Sequence, residues 1–133
     1  MVLTPGQRHD STQLGPVLDA IRVPRPGGKG RPRKRPDHVI GDKGYSYERC
    51  RALLRRRGIA HTIPERDDQR ARRAGRPGRK PAFDQATYWR RNVVERCINR
   101  LKQWRGLATR YDKRAANYRA MVVVAALMIW LGQ

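Results

Sequence analysis

The apolar positions of this chain fall into helical and strand-like spacings separated by long polar stretches. In "DSTQLGPVLDAIRV", Leu14, Val17, Leu18 and Ile21 recur at the repeat of one helix face and predict a short helix over about 11–21. Asp10, with Gln13 three residues on, has the form of a capping pair. "HVIGDKGYS" is a brief apolar run stopped by Gly41, Asp42 and Gly44, the pattern of a buried strand ending in a tight turn, and it places Asp42 at the strand's carboxyl tip. "SYERCRALLRRRGI" sets Cys50, Leu53 and Leu54 on one side and arginines on the other, with Gly58 as the cap. "AHTIP" reads as the next strand. Strand, helix, strand in this order predicts a parallel βαβ unit, whose ligands gather at the carboxyl ends of the strands. The opening "MVLTPG" reads as the end of a strand running into a turn.

Further along, the spacing predicts one longer helix over about 84–104, capped by Asp84, then a linker "GLATRYDKRAAN", then a terminal helix over about 116–131. The apolar run from Ala120 to Leu131 is 12 residues, short of the roughly 20 needed to span a bilayer. It is therefore expected to be a buried terminal helix, and the three tryptophans are expected in the core. "MVLTPGQRHD" has no charged lead followed by an apolar stretch, so it does not read as a secretory signal.

Charge changes this picture of a small α/β domain. The chain has 133 residues, at most one domain, and 31 Lys and Arg against 11 Asp and Glu give a formal net charge of +20. Such a field attracts a polyanion and opposes self-association unless phosphates neutralise it, so nucleic acid is the default partner. Much of the charge sits in two loops. Residues 24–36 hold six basic residues and no acid among Pro and Gly, including Arg33, Lys34 and Arg35; residues 65–81 hold seven, including Arg72 and Arg73. Both loops are expected to contact DNA phosphates, and the first to be mobile without DNA. A basic coat protein fits this composition equally well. Cys50 and Cys97 stand far apart with no partner at zinc spacing, which suits a reducing cytoplasm. His9, His38 and His61 show no ligand spacing and read as structural or solvated.

The segment "YWRRNVVERCINRLKQWR" carries a lone acid, Glu95, among basic residues. At about 100° per residue from Tyr88, Arg91 falls at about 300°, Glu95 at about 340° and Lys102 at about 320°, one narrow stripe. Val94, Cys97, Ile98 and Leu101 cluster at about 180–280° and read as the packing face. Periodicity alone leaves two readings: a solvated face with an Arg91–Glu95 ion pair, or a functional face. Asp42 likewise reads either as a plain turn residue or as a ligand.

The spacing Tyr88, Arg91, Glu95, Lys102 resembles the signature of DDE transposases of bacterial insertion sequences, in the group that includes insertion-sequence families four and five. "VIGDKGYS" is similar to the segment carrying the second catalytic Asp of those proteins. "LTPGQRHDS", "GRPRKRPDH", "RRRGIAHTIPER", "NVVERCINRLKQWRGLATRYDK" and the apolar tail resemble family-five sequence almost throughout. The resemblance implies an RNase H-like (retroviral-integrase-like) fold and cut-and-join chemistry on transposon ends. It implies Asp42 and Glu95 as catalytic carboxylates and ligands of Mg²⁺ or Mn²⁺, Arg91 and Lys102 as phosphate binders and Tyr88 as a contact to the DNA end. The partners it implies are double-stranded DNA, at transposon ends and target, and further copies of the protein assembled on it. The setting it implies is the bacterial cytoplasm at the nucleoid, with no membrane.

In that family the first catalytic Asp lies upstream of the segment matching "VLTPGQRHDS". Asp10 suits a helix cap and Asp19 falls on the short helix, so neither replaces it. The expected fold is therefore incomplete at the N-terminus, with its first strands missing. The expected protein is the C-terminal part of a transposase, from a truncated gene or a downstream frame joined to an upstream one, and inactive alone. The alternative is a DNA-binding remnant or regulator without catalysis.

Overall fold

In the computed structural model, described over residues 2–4, 7–109 and 112–132, a one-turn 3-10 segment Asp10–Gln13 leads into α1 (Leu14–Asp19). There follow β1 (His38–Ile40), α2 (Glu48–Arg56), β2 (Ala60–Thr62), α3 (Asp67–Arg73) and α4 (Gln85–Trp89). These lie in a first compact unit, Val2–Trp89. From Arg90 onward a second unit holds α5 (Asn92–Lys102), α6 (Arg105–Thr109) and α7 (Ala115–Leu131). The expected opening strand falls partly on Met1, Pro5 and Gly6, outside the described residues, and residues 2–4 form no strand.

The βαβ unit read from the sequence is present. β1 and β2 pair in parallel with His38 opposite Ala60, Val39 opposite His61 and Ile40 opposite Thr62, and α2 makes the crossover. Gly41 N–H donating to the Thr62 carbonyl at 3.1 Å carries the ladder past the tip of β1. The core lies where helical and strand spacings meet: Leu14 and Leu18 from α1, Cys50 and Leu54 from α2, and Ile59 and Ile63 flanking β2. Fully burying a side chain such as Leu54 or Ile63 contributes about 1.5–3 kcal/mol. The three histidines fill structural places, His38 Nε2 lying 3.0 Å from Thr62 Oγ1 and His61 Nδ1 3.4 Å from the Ile59 carbonyl. His9 caps the first turn, accepting from Ser11 N–H, in place of the Asp10–Gln13 pair expected.

α2 ends as Gly58 requires. Gly58, at φ +61°, donates to the Arg55 carbonyl at 3.0 Å and Ile59 N–H to the Leu54 carbonyl at 2.9 Å, the two bonds of a Schellman cap. The left-handed backbone that closes the helix also turns Ile59 into the core beside Leu54. One arginine of α2 departs from the expected outer face. Arg51 is buried, its Nη2 donating to the Ile63 carbonyl at 2.8 Å, and burial lowers its pKa against the opposing pull of Glu65 and Glu48.

Three further expectations need correcting. The second basic stretch, 65–81, is not all loop: Asp67 and Asp68 at the start and Arg70, Arg72 and Arg73 at the end complement the helix dipole, and residues 67–73 form α3. The helix expected over 84–104 is interrupted by a turn at Arg90 and Arg91, between α4 and α5, and part of the expected linker forms α6; Arg110 and Tyr111 lie outside the described residues. The terminal helix starts close to where the sequence placed it, but it is not buried. Of its residues only Ala125 is buried, while Val123, Val124, Leu127, Met128, Trp130 and Leu131 are exposed. The expected packing face of α5 is open too, with Val94, Cys97 and Ile98 exposed, and Trp89, Trp104 and Trp130 lie 67%, 41% and 69% exposed rather than in a core. Two neighbouring helices, α5 and α6, are too few to enclose a helix that is apolar all round from Ala120 onward. Among the described residues no helix is long and apolar enough to cross a membrane.

Two measurements check this account. Gly58→Ala forces a side chain into the left-handed region and is expected to lower stability in denaturant unfolding by about 1 kcal/mol. The Glu65 carboxylate takes a two-bond fork from Arg73, at 3.1 and 2.6 Å, and this bond holds its pKa below the ordinary 4.5. A carboxylate with a lowered folded-state pKa stabilises above its unfolded value and loses that contribution as pH falls through the lowered one. Glu65→Gln is thus expected to be less stable than the parent at neutral pH and to converge with it in acid.

Candidate functional site

Asp42 stands two residues past the end of β1, after Gly41, where the extended backbone turns into a 3-10 turn at Lys43–Tyr45. Its Oδ1 accepts from Gly44 N–H at 2.8 Å, which fixes the carboxylate at the strand's carboxyl end. A Cβ at Gly44 would come within 2.9 Å of Asp42 Oδ1, so a side chain there would displace the carboxylate. The half-buried carboxylate also lies close to Tyr45, whose hydroxyl pKa is raised first by burial and then by the charges of Asp10 and Asp42.

The four-residue signature is divided between the two units. Tyr88 lies on α4, which Asp84 caps as expected by accepting from Thr87 N–H at 3.2 Å, and the Tyr88 ring packs at 5.3 Å from Phe83. Arg91 is the residue before α5, and Glu95 and Lys102 lie within it. Over one continuous helix the spacing 91, 95, 102 keeps all three on one side. Arg91 Nη1 donates to Glu95 Oε1 at 2.8 Å, with the carboxylate side chain 51% exposed. The ion pair that periodicity allowed is therefore formed, on a face open to solvent, and Lys102 is exposed one turn beyond Ile98. Asp42 belongs to the first unit and Glu95 to the second.

The first basic loop is closed by an antiparallel bridge between Val23 and Arg33, with bonds of 2.9 and 2.8 Å. Arg33 pairs with Asp37, Arg35 Nη1 reaches the Arg57 carbonyl at 3.5 Å, and Lys34 is exposed. On α3, Arg72 is exposed, whereas Arg73 is tied to Glu65 and acts first as a structural clamp. Sequence reasoning gave no part to Lys43, Arg66, Asp67 and Asp68, which with Gly44 line an open cavity of about 450 Å³ next to Asp42. The signal available was adjacency alone: Lys43 follows Asp42, and Arg66 precedes a helix no apolar periodicity announced.

A divalent metal held by carboxylates needs several oxygen ligands converging within about 2.0–2.6 Å of one point. Among the described residues no group of three or more His, Cys, Asp or Glu side chains gathers in this way.

Comparison with known proteins places the chain. A protein of Burkholderia cepacia, provisionally named as a transposase for insertion sequence element IS402, is 34% identical over 128 residues, covering 96% of this chain and 54% of the relative. A second, from Brucella ovis and provisionally named as a transposase for insertion sequence element IS6501, is 28% identical over 128 residues, covering 96% of this chain and 84% of the relative. The chain thus spans about half the length of the first. No solved structure matches it. The profile of the transposase DDE domain matches residues 1–131, and the chain belongs to that family.

Proposed function

We propose that this chain is the C-terminal part of the catalytic domain of an insertion-sequence transposase of family five, with an RNase H-like fold, which binds transposon-end DNA. The observation that carries the reading is the Arg91, Glu95, Lys102 face of α5, presented to solvent at the spacing the family signature requires, with Tyr88 on the preceding helix. Asp42 at the carboxyl tip of a parallel strand occupies the kind of position where α/β folds bind ligands. DDE transposase domains generally use a divalent metal. Asp42 and Glu95 are proposed as two of its carboxylate ligands, with Mg²⁺ or Mn²⁺ as the ion, and the remaining ligand comes from outside the described residues.

In this reading each residue has a task suited to its chemistry. Arg91 holds the Glu95 carboxylate in place by a charge-assisted hydrogen bond, and with Lys102 it offers positive charge to a phosphate lying along α5. Tyr88 contacts the DNA end. Arg33, Lys34, Arg35 and Arg72 supply phosphate contacts remote from the reacting centre, joined by Arg73 where its clamp on Glu65 allows. The reaction is displacement at phosphorus, in which water or a 3′-hydroxyl forms the new P–O bond as the leaving oxygen departs. The exposed apolar side chains of α7 support a further covering surface, from an upstream segment or another copy of the chain on DNA. No membrane contact is part of this proposal, and the setting is the bacterial cytoplasm at the nucleoid.

A second reading, a DNA-binding remnant or regulator without catalysis, is supported by the net charge of +20, which attracts phosphates without any metal. The two separate in one set of assays. The chain alone is expected to bind duplex DNA with a log K that falls by about 0.9 per phosphate contact for each unit of log salt, and to leave a transposon end uncut with Mg²⁺. Joined to an upstream segment carrying a further Asp, it is expected to cut, and Glu95→Ala in the joined protein is expected to abolish cutting while DNA binding persists. Cutting by the chain alone overturns its assignment as an incomplete part. Undiminished cutting by the joined Glu95→Ala variant removes Glu95 from the site, and no cutting by any joined form favours the remnant.

A further inference from the structure

The cavity beside Asp42 is built by two elements. The turn after β1 provides Lys43 and Gly44, and the start of α3 provides Arg66, Asp67 and Asp68. Its two cations face its two acids. Lys43 Nζ lies 3.2 Å from Asp67 Oδ2, and Arg66 Nε donates to Asp68 Oδ1 at 3.0 Å. Arg66 is aligned a second time by Tyr47, since its Nη1 donates to the hydroxyl at 3.3 Å and its guanidinium stands 5.9 Å from the ring centre. That ring is itself set by the edge of His9 at 5.4 Å and by Arg49 at 5.1 Å. The arrangement therefore orients Arg66 through Tyr47 as well as Asp68, while Lys43 points to Asp67.

These ion pairs do little for folding. Side-chain exposures are 55% and 71% for Lys43 and Asp67, and 43% and 44% for Arg66 and Asp68, so water screens both pairs and each contributes little stability. Weak pairs exchange partners readily. A phosphate, like an aspartate carboxylate, offers a lysine and a guanidinium anionic acceptor oxygens, and it brings its own charge to a chain that carries +20. Asp67 keeps a partner after such an exchange, because it is also paired with Arg70. Its carboxyl pKa is held below the usual range by Arg70 first and Lys43 second, so it remains charged and continues to compete for Lys43 at neutral pH.

We propose that Lys43 and Arg66 are positioning residues for the DNA strand beside Asp42, and that Asp67 and Asp68 hold them in place in the free protein until backbone phosphates displace the two carboxylates. This rests on the DNA-binding reading above and deepens it, naming the phosphate contacts nearest Asp42 and the internal competitor that guards them.

Thermodynamic cycles test it. A short fluorescent duplex DNA is titrated with the parent, Lys43→Gln, Asp67→Asn and the double variant over a range of salt. Lys43→Gln is expected to weaken binding several-fold and to reduce the salt slope by about one. Asp67→Asn is expected to tighten binding in the parent and to do so clearly less in the Lys43→Gln background, where only Arg70 is left to release. The same is expected of Asp68→Asn in the parent and in Arg66→Gln. Equal gains in both backgrounds report net charge alone and overturn the proposal. Coupling in one cycle only overturns the residue pair of the other. Arg66→Lys keeps the charge without the fork and is expected to bind more weakly than the parent while unfolding at a similar temperature, which separates lost contact from lost fold. A parent chain that fails to bind duplex DNA overturns the DNA reading and the site with it. Binding with additive cycles overturns the site and leaves that reading standing.

Discussion

Among the described residues, the carboxylates of Asp19, Asp37, Glu48, Glu65, Asp67, Asp68 and Glu95 lie in ion pairs with arginine, or for Asp67 also lysine, in a chain carrying 31 basic and 11 acidic side chains. Asp42, Asp84 and Asp112 accept from backbone N–H groups at turns and helix starts. With so few acids, each one's placement decides something local. Exposed pairs of this kind contribute only about 0–1 kcal/mol apiece, so they orient segments rather than hold the fold together. The exception in geometry is the Glu65–Arg73 fork, which ties the end of α3 back to the chain just beyond β2.

Stability in the first unit comes from apolar burial at the crossover. Leu54 lies under Ile59 and Ile63, and the Schellman cap at Gly58 makes that geometry possible by reversing the chain within two residues. The same packing fixes the register of β1 against β2 and so fixes the tip from which Asp42 projects. Packing and site are thus linked through three strand residues. Arg51 extends the link, since its buried guanidinium satisfies the Ile63 carbonyl at the end where β2 leads toward Arg66 and α3.

The second unit has a different balance. Its helices α5, α6 and α7 contact one another, yet Leu107 and Ala125 are its only buried apolar residues among those described. α5 bears charged chemistry on one side and open Val94 and Ile98 on another, and α7 is apolar on every side from Ala120 onward. Exposed apolar surface of this kind supports the covering surface proposed above. A first relative nearly twice the length of the matched stretch is in keeping with that.

Local physics made several features legible from the sequence. Period-3.6 and short-run spacing located α1, β1, α2 and β2, Gly58 announced the end of α2, Asp84 its own cap, and the 91, 95, 102 spacing the charged face of α5. These depend on neighbours within a turn or two, so residue order suffices. What the sequence could not show depended on distance. Whether an apolar helix is covered depends on how much other chain surrounds it, which is why α7 and the tryptophans were expected inside and stand outside. Whether an arginine faces water depends on where a strand ends, which is why Arg51 is buried. The meeting of Lys43 with Asp67 joins residues 24 apart along the chain, and only the parallel crossover brings them together.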